Sequence, residues 1–296
     1  MMIREPAVAG MFYPREPDRC RADLGECLRR AEQTPVTAIE RIEKPLGGAV
    51  PHAGWICSGA VAAHVIEEIA KRHRPAVVVV FGAIHVTHGP RATVFPSGAW
   101  ETPLGLAHVD GRLVERLCGQ TNLLEPDAHA HEREHSIEVE VPFLQHLLPD
   151  SLIVPIMVPA TDRAAALGAA VGRACKNFGV DAVFLASTDL THYGPNYGFV
   201  PHGVGPEGLR WAKEVNDRRM IDLILAMREE DAVREAGSNL NACGSGAVAA
   251  TLAACKAMGA RRATLLEHTT SHEVLTRKGH RDEARDAVGY AGILIE

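Results

Sequence analysis

Residues 77–81, VVVVF, limit what this chain can fold into more than any other stretch. An apolar run with no polar alternation, preceded by Pro75 and followed by Gly82, predicts a strand buried on both faces. Such strands occur inside parallel sheets whose two faces are covered by helices. The loop that follows presents His85 and His88 at the carboxyl end of the strand. In open α/β sheets ligands bind in the crevice outside those ends, so the active site is expected there.

The rest of the chain supplies the alternation that such a sheet needs. Buried strands are predicted at LGGAV (46–50), SLIVPIMV (151–158) and DAVFLAS (181–187), with closing strands at 263–269 and 287–295. Helices are predicted over 18–33, with Pro35 as the stop, and after a Ser58 cap through Val61, Val65 and Ile69. Others follow an Asp110 cap, run from Asp162 to about Phe178, run from Leu209 to about Met227, and start at Cys243. Residues 92–110 read as a small antiparallel addition, and 271–286 as a charged loop. The fold class is α/β with a mostly parallel central sheet, in one domain spanning 1–296.

Composition excludes several functions. The formal charge of −6, with no basic run, offers no surface for nucleic acid or an anionic membrane. The seven cysteines are odd in number, scattered and free of a CxxC pair, which predicts reduced thiols and a cytoplasmic location. The amino terminus, MMIREPAVAGMFYP, lacks the continuous apolar region of a signal peptide, and no apolar stretch is long enough to span a membrane.

Four loops, each following a strand or opening a helix, carry His52, His85, His192 and Cys243, with Asp189 one helical turn before His192. Imidazole and thiolate ligate iron, copper or zinc, and three protein ligands leave positions open for water or substrate. Cys243 is expected to gain thiolate character from the N–H groups of the helix it precedes. Cys20, Cys27, Cys57, Cys118, Cys175 and Cys255 read as small buried hydrophobes.

HEREH at 131–135 fits both HExxH and HxxEH. A zinc protease needs that pair on a regular helix with an apolar stripe behind it, and PDAHA before it gives none. His131 is therefore not expected to bind metal. His135 is expected in the cleft, with Ser136 and Glu138, as a proton-transfer or orienting group.

The blocks REPAVAGMFYP (4–14), PHAGW (51–55), GAIH (82–85), EHSIE (134–138), STDLTHYG (187–194) and CGSG (243–246) resemble the MEMO family, in family order and over nearly the whole chain. The resemblance implies a three-layer α/β sandwich related to class III extradiol dioxygenases. It implies iron or copper held by His52, His85 and Cys243, zinc also suiting these ligands, with Asp189 and His192 beside the metal and His135 moving protons. Bacterial relatives are called AmmeMemoRadiSam system protein B, so a radical SAM enzyme and an AMMECR-type protein are the implied partners. Extradiol dioxygenases use two histidines and a carboxylate, whereas here a softer, oxidisable cysteine replaces the carboxylate. Three functions follow in order: a metal-dependent redox enzyme acting on a small molecule or peptide, a peptide- or protein-binding module, and a hydrolase using Cys243 with His192 and Asp189.

Overall fold

The computed structural model describes residues 1–33, 42–86, 89, 91–280 and 284–296. His88 and Pro35 lie outside them. The elements follow as β1 (Ile3–Arg4), α1 (Pro17–Glu32), β2 (Gly47–Val50), α2 (Trp55–Arg72), β3 (Val77–Gly82) and β4 (Ala92–Val94). Next come β5 (Gly98–Thr102), β6 (Gly105–Val109), α3 (Gly111–Gln120), β7 (Leu124–Pro126), α4 (Val141–Leu147), β8 (Leu152–Met157), α5 (Ala164–Asn177) and β9 (Ala182–Ser187). The chain continues through β10 (His192–Tyr193), α6 (Pro206–Trp211), a π-turn (Ala212–Asp217), α7 (Arg218–Leu225) and α8 (Ala232–Asn239). It closes with α9 (Ser245–Met258), β11 (Ala263–Thr270), α10 (Ser271–Arg277) and β12 (Ala287–Ile295).

One mixed, mostly parallel sheet organises these elements. Its centre, β8-β3-β9-β2, is parallel throughout, with Val77 opposite both Leu152 and Ala182, and Gly47 opposite Phe184. All six residues of β3 are buried, as its unbroken apolar run requires, and Phe81 stacks on Phe184 of β9 with centroids 6.4 Å apart. Full burial of a side chain of that kind contributes about 1.5–3 kcal/mol. Antiparallel β12 joins β2, and the expected antiparallel addition is the β5–β6 hairpin.

Helices cover both faces. Successive strand residues point to opposite sides, so Gly47 and Gly48 report one face each. A Cβ on Gly47 would meet Cys255 of α9 at 2.5 Å, and one on Gly48 would meet Val65 of α2 at 2.6 Å. Only glycines let both helices approach β2 this closely, which accounts for the LGGAV sequence.

Asp110 caps α3 as expected, accepting from the Leu113 N–H at 3.0 Å. Ser58 does not cap α2. The helix begins at Trp55, whose N–H donates to the Phe12 carbonyl at 2.8 Å, and Ser58 instead donates to Ala53 O. The charged loop after β11 contains α10, because the Thr270 side chain accepts from the Glu273 N–H and nucleates a turn. The predicted 209–227 helix starts earlier, at Pro206, and is interrupted by the π-turn.

Candidate metal centre

The carboxyl ends of β2, β3 and β9 lie side by side, so their loops bring His52, His85, Asp189 and His192 to one edge of the sheet. Cys243 reaches the same place from the turn before α9. Its backbone N–H donates to Asp189 O at 3.2 Å, and the Asp189 N–H points at its sulfur at 3.3 Å. The ligand atoms of His52, His85 and Cys243 all lie within 4.8 Å of one another.

The hydrogen bonds fix how each imidazole is presented. Ser187 spends its one hydroxyl proton on Ser136 O, so at the 2.8 Å contact with His52 Nδ1 its oxygen is the acceptor. His52 therefore carries its proton on Nδ1 and turns a bare Nε2 toward Cys243 Sγ, 3.2 Å away. Glu134 acts likewise on His85. Its Oε1 accepts from Nδ1 at 2.9 Å, and its Oε2 accepts from the His85 backbone N–H at 2.6 Å. His192 donates Nδ1–H to Leu190 O at 3.1 Å. In all three, Nε2 is the nitrogen left for a ligand, the arrangement that metal-binding histidines use.

Charges follow from burial. His52 is held well below the usual imidazole value by burial, then by His85 and His135, so it is neutral, as a ligand must be. Burial also lowers His135 and His192. Asp189 is pushed up to about 7 by burial, against the N–H bonds it receives from His52 and Ala53. The expectation of a thiolate-like Cys243 is corrected: burial, and then Asp189, push the thiol up. Gly244, not Cys243, occupies the cap position of α9, so the sulfur is set back from the helix N–H groups.

His135 stacks on His85 with centroids 4.5 Å apart and sits edge-on to His52 at 5.5 Å. Ser136 and Glu138 do not line the cleft. Ser136 donates to Ala83 O, bracing the end of β3. Glu138 accepts from Arg4 Nη1 at 2.6 Å, Ala7 N at 2.8 Å, Val8 N at 2.9 Å and Tyr13 OH at 2.8 Å, anchoring the amino-terminal segment. That anchorage seats Phe12 edge-on to His135 at 4.9 Å. His131 is enclosed by Phe95 and Trp100, with centroids 5.9 and 5.8 Å away, and is absent from both ligand groups found among the described residues. The second such group, His85, Glu134 and His135, shares His85. Glu134 there also accepts from the His135 and Ser136 N–H groups at 2.9 Å each, so both its oxygens are occupied in orienting the loop. Residue type does not mark Ser187 or Glu134 as orienting partners; their only signal is their place inside STDLTHYG and EHSIE.

The chain matches the family model described as Memo-like protein over residues 4–294. It is 38% identical over 296 residues to a MEMO1 family protein of Methanothermobacter thermautotrophicus, covering 98% of this chain and 99% of that protein. A MEMO1 family protein of Pyrobaculum arsenaticum is 35% identical over 299 residues, covering 100% and 99%. Among solved structures, an uncharacterized protein from Escherichia coli K12 aligns with a TM-score of 0.48 and 15% identity, covering 77% of this chain and 91% of that one. No helix among the described residues is long and apolar enough to cross a membrane.

Proposed function

Because the chain belongs to the Memo-like family, we propose that His52, His85 and Cys243 hold one redox-active metal, iron or copper, in a cytoplasmic oxidoreductase acting on a small molecule or peptide. The finer fold assignment, a three-layer sandwich of the class III extradiol dioxygenase kind forming one domain, belongs to the same proposal. The observation that carries it is the shared tautomer: Ser187 and Glu134 each take an Nδ1–H and leave Nε2 of His52 and His85 unprotonated, that of His52 facing the Cys243 sulfur at 3.2 Å. Two imidazoles and a thiol suit a transition metal and exclude magnesium and calcium, which take oxygen ligands. When bound, such a metal supplies redox chemistry and open coordination positions.

The chain's own residues supply the rest. Cys243 releases its proton on binding, so loading depends on pH. Asp189, with a value of about 7, holds or gives up a proton near neutrality beside His52. Neutral His135 and His192 line the same cleft as acceptors, with Phe12 and Tyr197 packed edge-on against them and limiting access by water. The hydrolase reading is not favoured, since the imidazole facing Cys243 Sγ is His52, not His192, and the thiol is pushed up rather than down.

Anaerobic reconstitution with iron(II) or copper(I), followed by metal counting, tests the proposal. The wild type should hold one ion per chain, and Cys243→Ser should weaken binding and remove any thiolate-to-metal band. Unchanged stoichiometry and spectrum in that variant would refute Cys243 as a ligand.

A further inference from the structure

The π-turn between α6 and α7 buries its residues against hydropathy. Val215 is 41% exposed, whereas Asn216 and Asp217 are enclosed at 0%. Burying two adjacent polar side chains costs free energy unless both are bonded, and π-turns are frequent at functional positions. The bonds identify what this one serves. The Asn216 side-chain amide donates to Thr191 Oγ1 at 3.1 Å and to Asn239 O at 2.8 Å, and its backbone carbonyl accepts from Asn241 Nδ2 at 2.9 Å. Asp217 accepts from the Thr191 N–H at 2.9 Å and faces His268 Nε2 at 3.0 Å.

Thr191 lies between Asp189 and His192, and Asn239 and Asn241 lead directly to Cys243. The segment before Cys243 has little apolar anchorage of its own. Leu240, which ends α8 in a left-handed conformation with φ 50°, is 60% exposed, while Asn241 is fully buried. On the other side, a Cβ on Gly289 would stand 2.0 Å from Asp217 Oδ2. Gly289 also exchanges backbone bonds with Leu190 and Thr191, so strand, carboxylate and loop meet there.

We propose that Asn216 is a positioning residue: it ties the Asp189–His192 loop to the Cys243 loop and so sets where the Cys243 sulfur stands relative to His52. The inference deepens the metal-centre reading, yet its primary readout needs no metal. Other ties persist without it, from Cys243 N to Asp189 O and from Gly244 N to Thr188 Oγ1 at 2.9 Å, so its loss loosens the sulfur without unfolding the loop.

The test uses Asn216→Leu, nearly isosteric and without donors, in chelator-treated full-length protein. Alkylation of Cys243 by iodoacetamide, read peptide by peptide, should accelerate roughly tenfold through loss of two buried hydrogen bonds, while the half-buried Cys57 in the same sample keeps its rate. Leu223→Ala, a core truncation on α7, is the control for general destabilisation. Cobalt(II) then probes the centre, and the thiolate-to-cobalt band should weaken or shift in Asn216→Leu and stay unchanged in Leu223→Ala. A Cys243 rate within twofold of wild type, or an equal acceleration in Leu223→Ala, overturns the inference. If Asn216→Leu fails to fold, Thr191→Val, which removes only the acceptor, must show the same direction of change or the inference falls. A wild type lacking any thiolate-to-cobalt band would refute the metal reading, and the alkylation comparison would still decide this one.

Discussion

Glu134→Gln is the sharpest probe of how the centre is built. Both oxygens of the carboxylate are committed: Oε1 receives His85 Nδ1–H and the His135 and Ser136 N–H groups, and Oε2 receives the His85 backbone N–H. An amide offers one oxygen, so its better orientation satisfies the first set and turns its own NH2 against the His85 backbone N–H. One buried donor left unsatisfied costs about 1–3 kcal/mol, and the remaining bonds lose their charge assistance. A total near 3 kcal/mol lowers Tm by roughly 5 °C in a chain of this size. The side chain that orients a ligand histidine also sets affinity, so metal binding should weaken about ten- to a hundredfold. Burial by itself would raise this carboxyl, but the His85 ring and the backbone donors outweigh it and hold it well below the usual carboxylate range. A depressed folded value means that the stabilisation is complete above the unfolded carboxyl's value and lost as pH falls through the folded one. Thermal melts of chelator-treated protein should therefore show the wild-type advantage undiminished from pH 8 to about 5 and closing in strong acid. Competition with a chromophoric chelator measures the metal. A lower Tm with unchanged metal affinity would mean that Glu134 braces the 134–136 turn without orienting His85, and the argument from tautomers would fail.

Glu138→Ala removes the carboxylate that pairs with buried Arg4, a change that typically costs about 3–5 kcal/mol; residues 1–14 should become the first site of limited proteolysis, and an unchanged digestion pattern would contradict their anchorage by Glu138. Glu140 is buried with neither oxygen hydrogen-bonded among the described residues, and burial, then Asp189, push its carboxyl well up. Its folded value being raised, stability is present below the unfolded value and lost as pH rises through the folded one, so Glu140→Gln should raise Tm at pH 8 and change it little at pH 4; a gain confined to acid would reverse that sign. His131→Ala should lower stability by about 2–4 kcal/mol through the cavity it leaves while metal content stays unchanged, and loss of metal from folded protein would restore the zinc-protease reading.

The centre of the sheet was legible because β3, β8 and β9 are buried on both faces, and only near-continuous apolar runs satisfy that. Convergence of His52, His85 and Cys243 was legible for a related reason, since each stands just past a strand end or just before a helix, and parallel topology brings such positions to one edge. The π-turn was not legible. Hydropathy assigns Val215 inward and Asn216 and Asp217 outward, and tertiary hydrogen bonds reverse all three. Helix α10 was hidden by its charges, because its start depends on a single cap from Thr270 rather than on an apolar stripe. Glu138 looked like a cleft residue from its place three positions after His135, but the local 3₁₀ turn sends it toward Arg4.

The residues that set the chemistry of the centre are thus of two kinds, and only one kind announces itself. A ligand is visible as a histidine or cysteine at a strand end, whereas the group that decides which nitrogen it offers comes from a distant segment. Ser187 is 135 residues from His52, and Glu134 is 49 from His85. Nothing in residue type separates Glu134 from Glu132, two positions away in the same HEREH run. What separates them is burial, with side-chain exposures of 1% and 60%, and burial is what turns a carboxylate into a fixed acceptor. A carboxylate in water exchanges partners freely, but one enclosed among N–H donors holds them in one geometry, because releasing any of them strands a buried polar group. By that reasoning the ligand set can be intact in sequence while the centre is disabled. The variants at Glu134 and Asn216 test for that condition, since neither alters a proposed ligand.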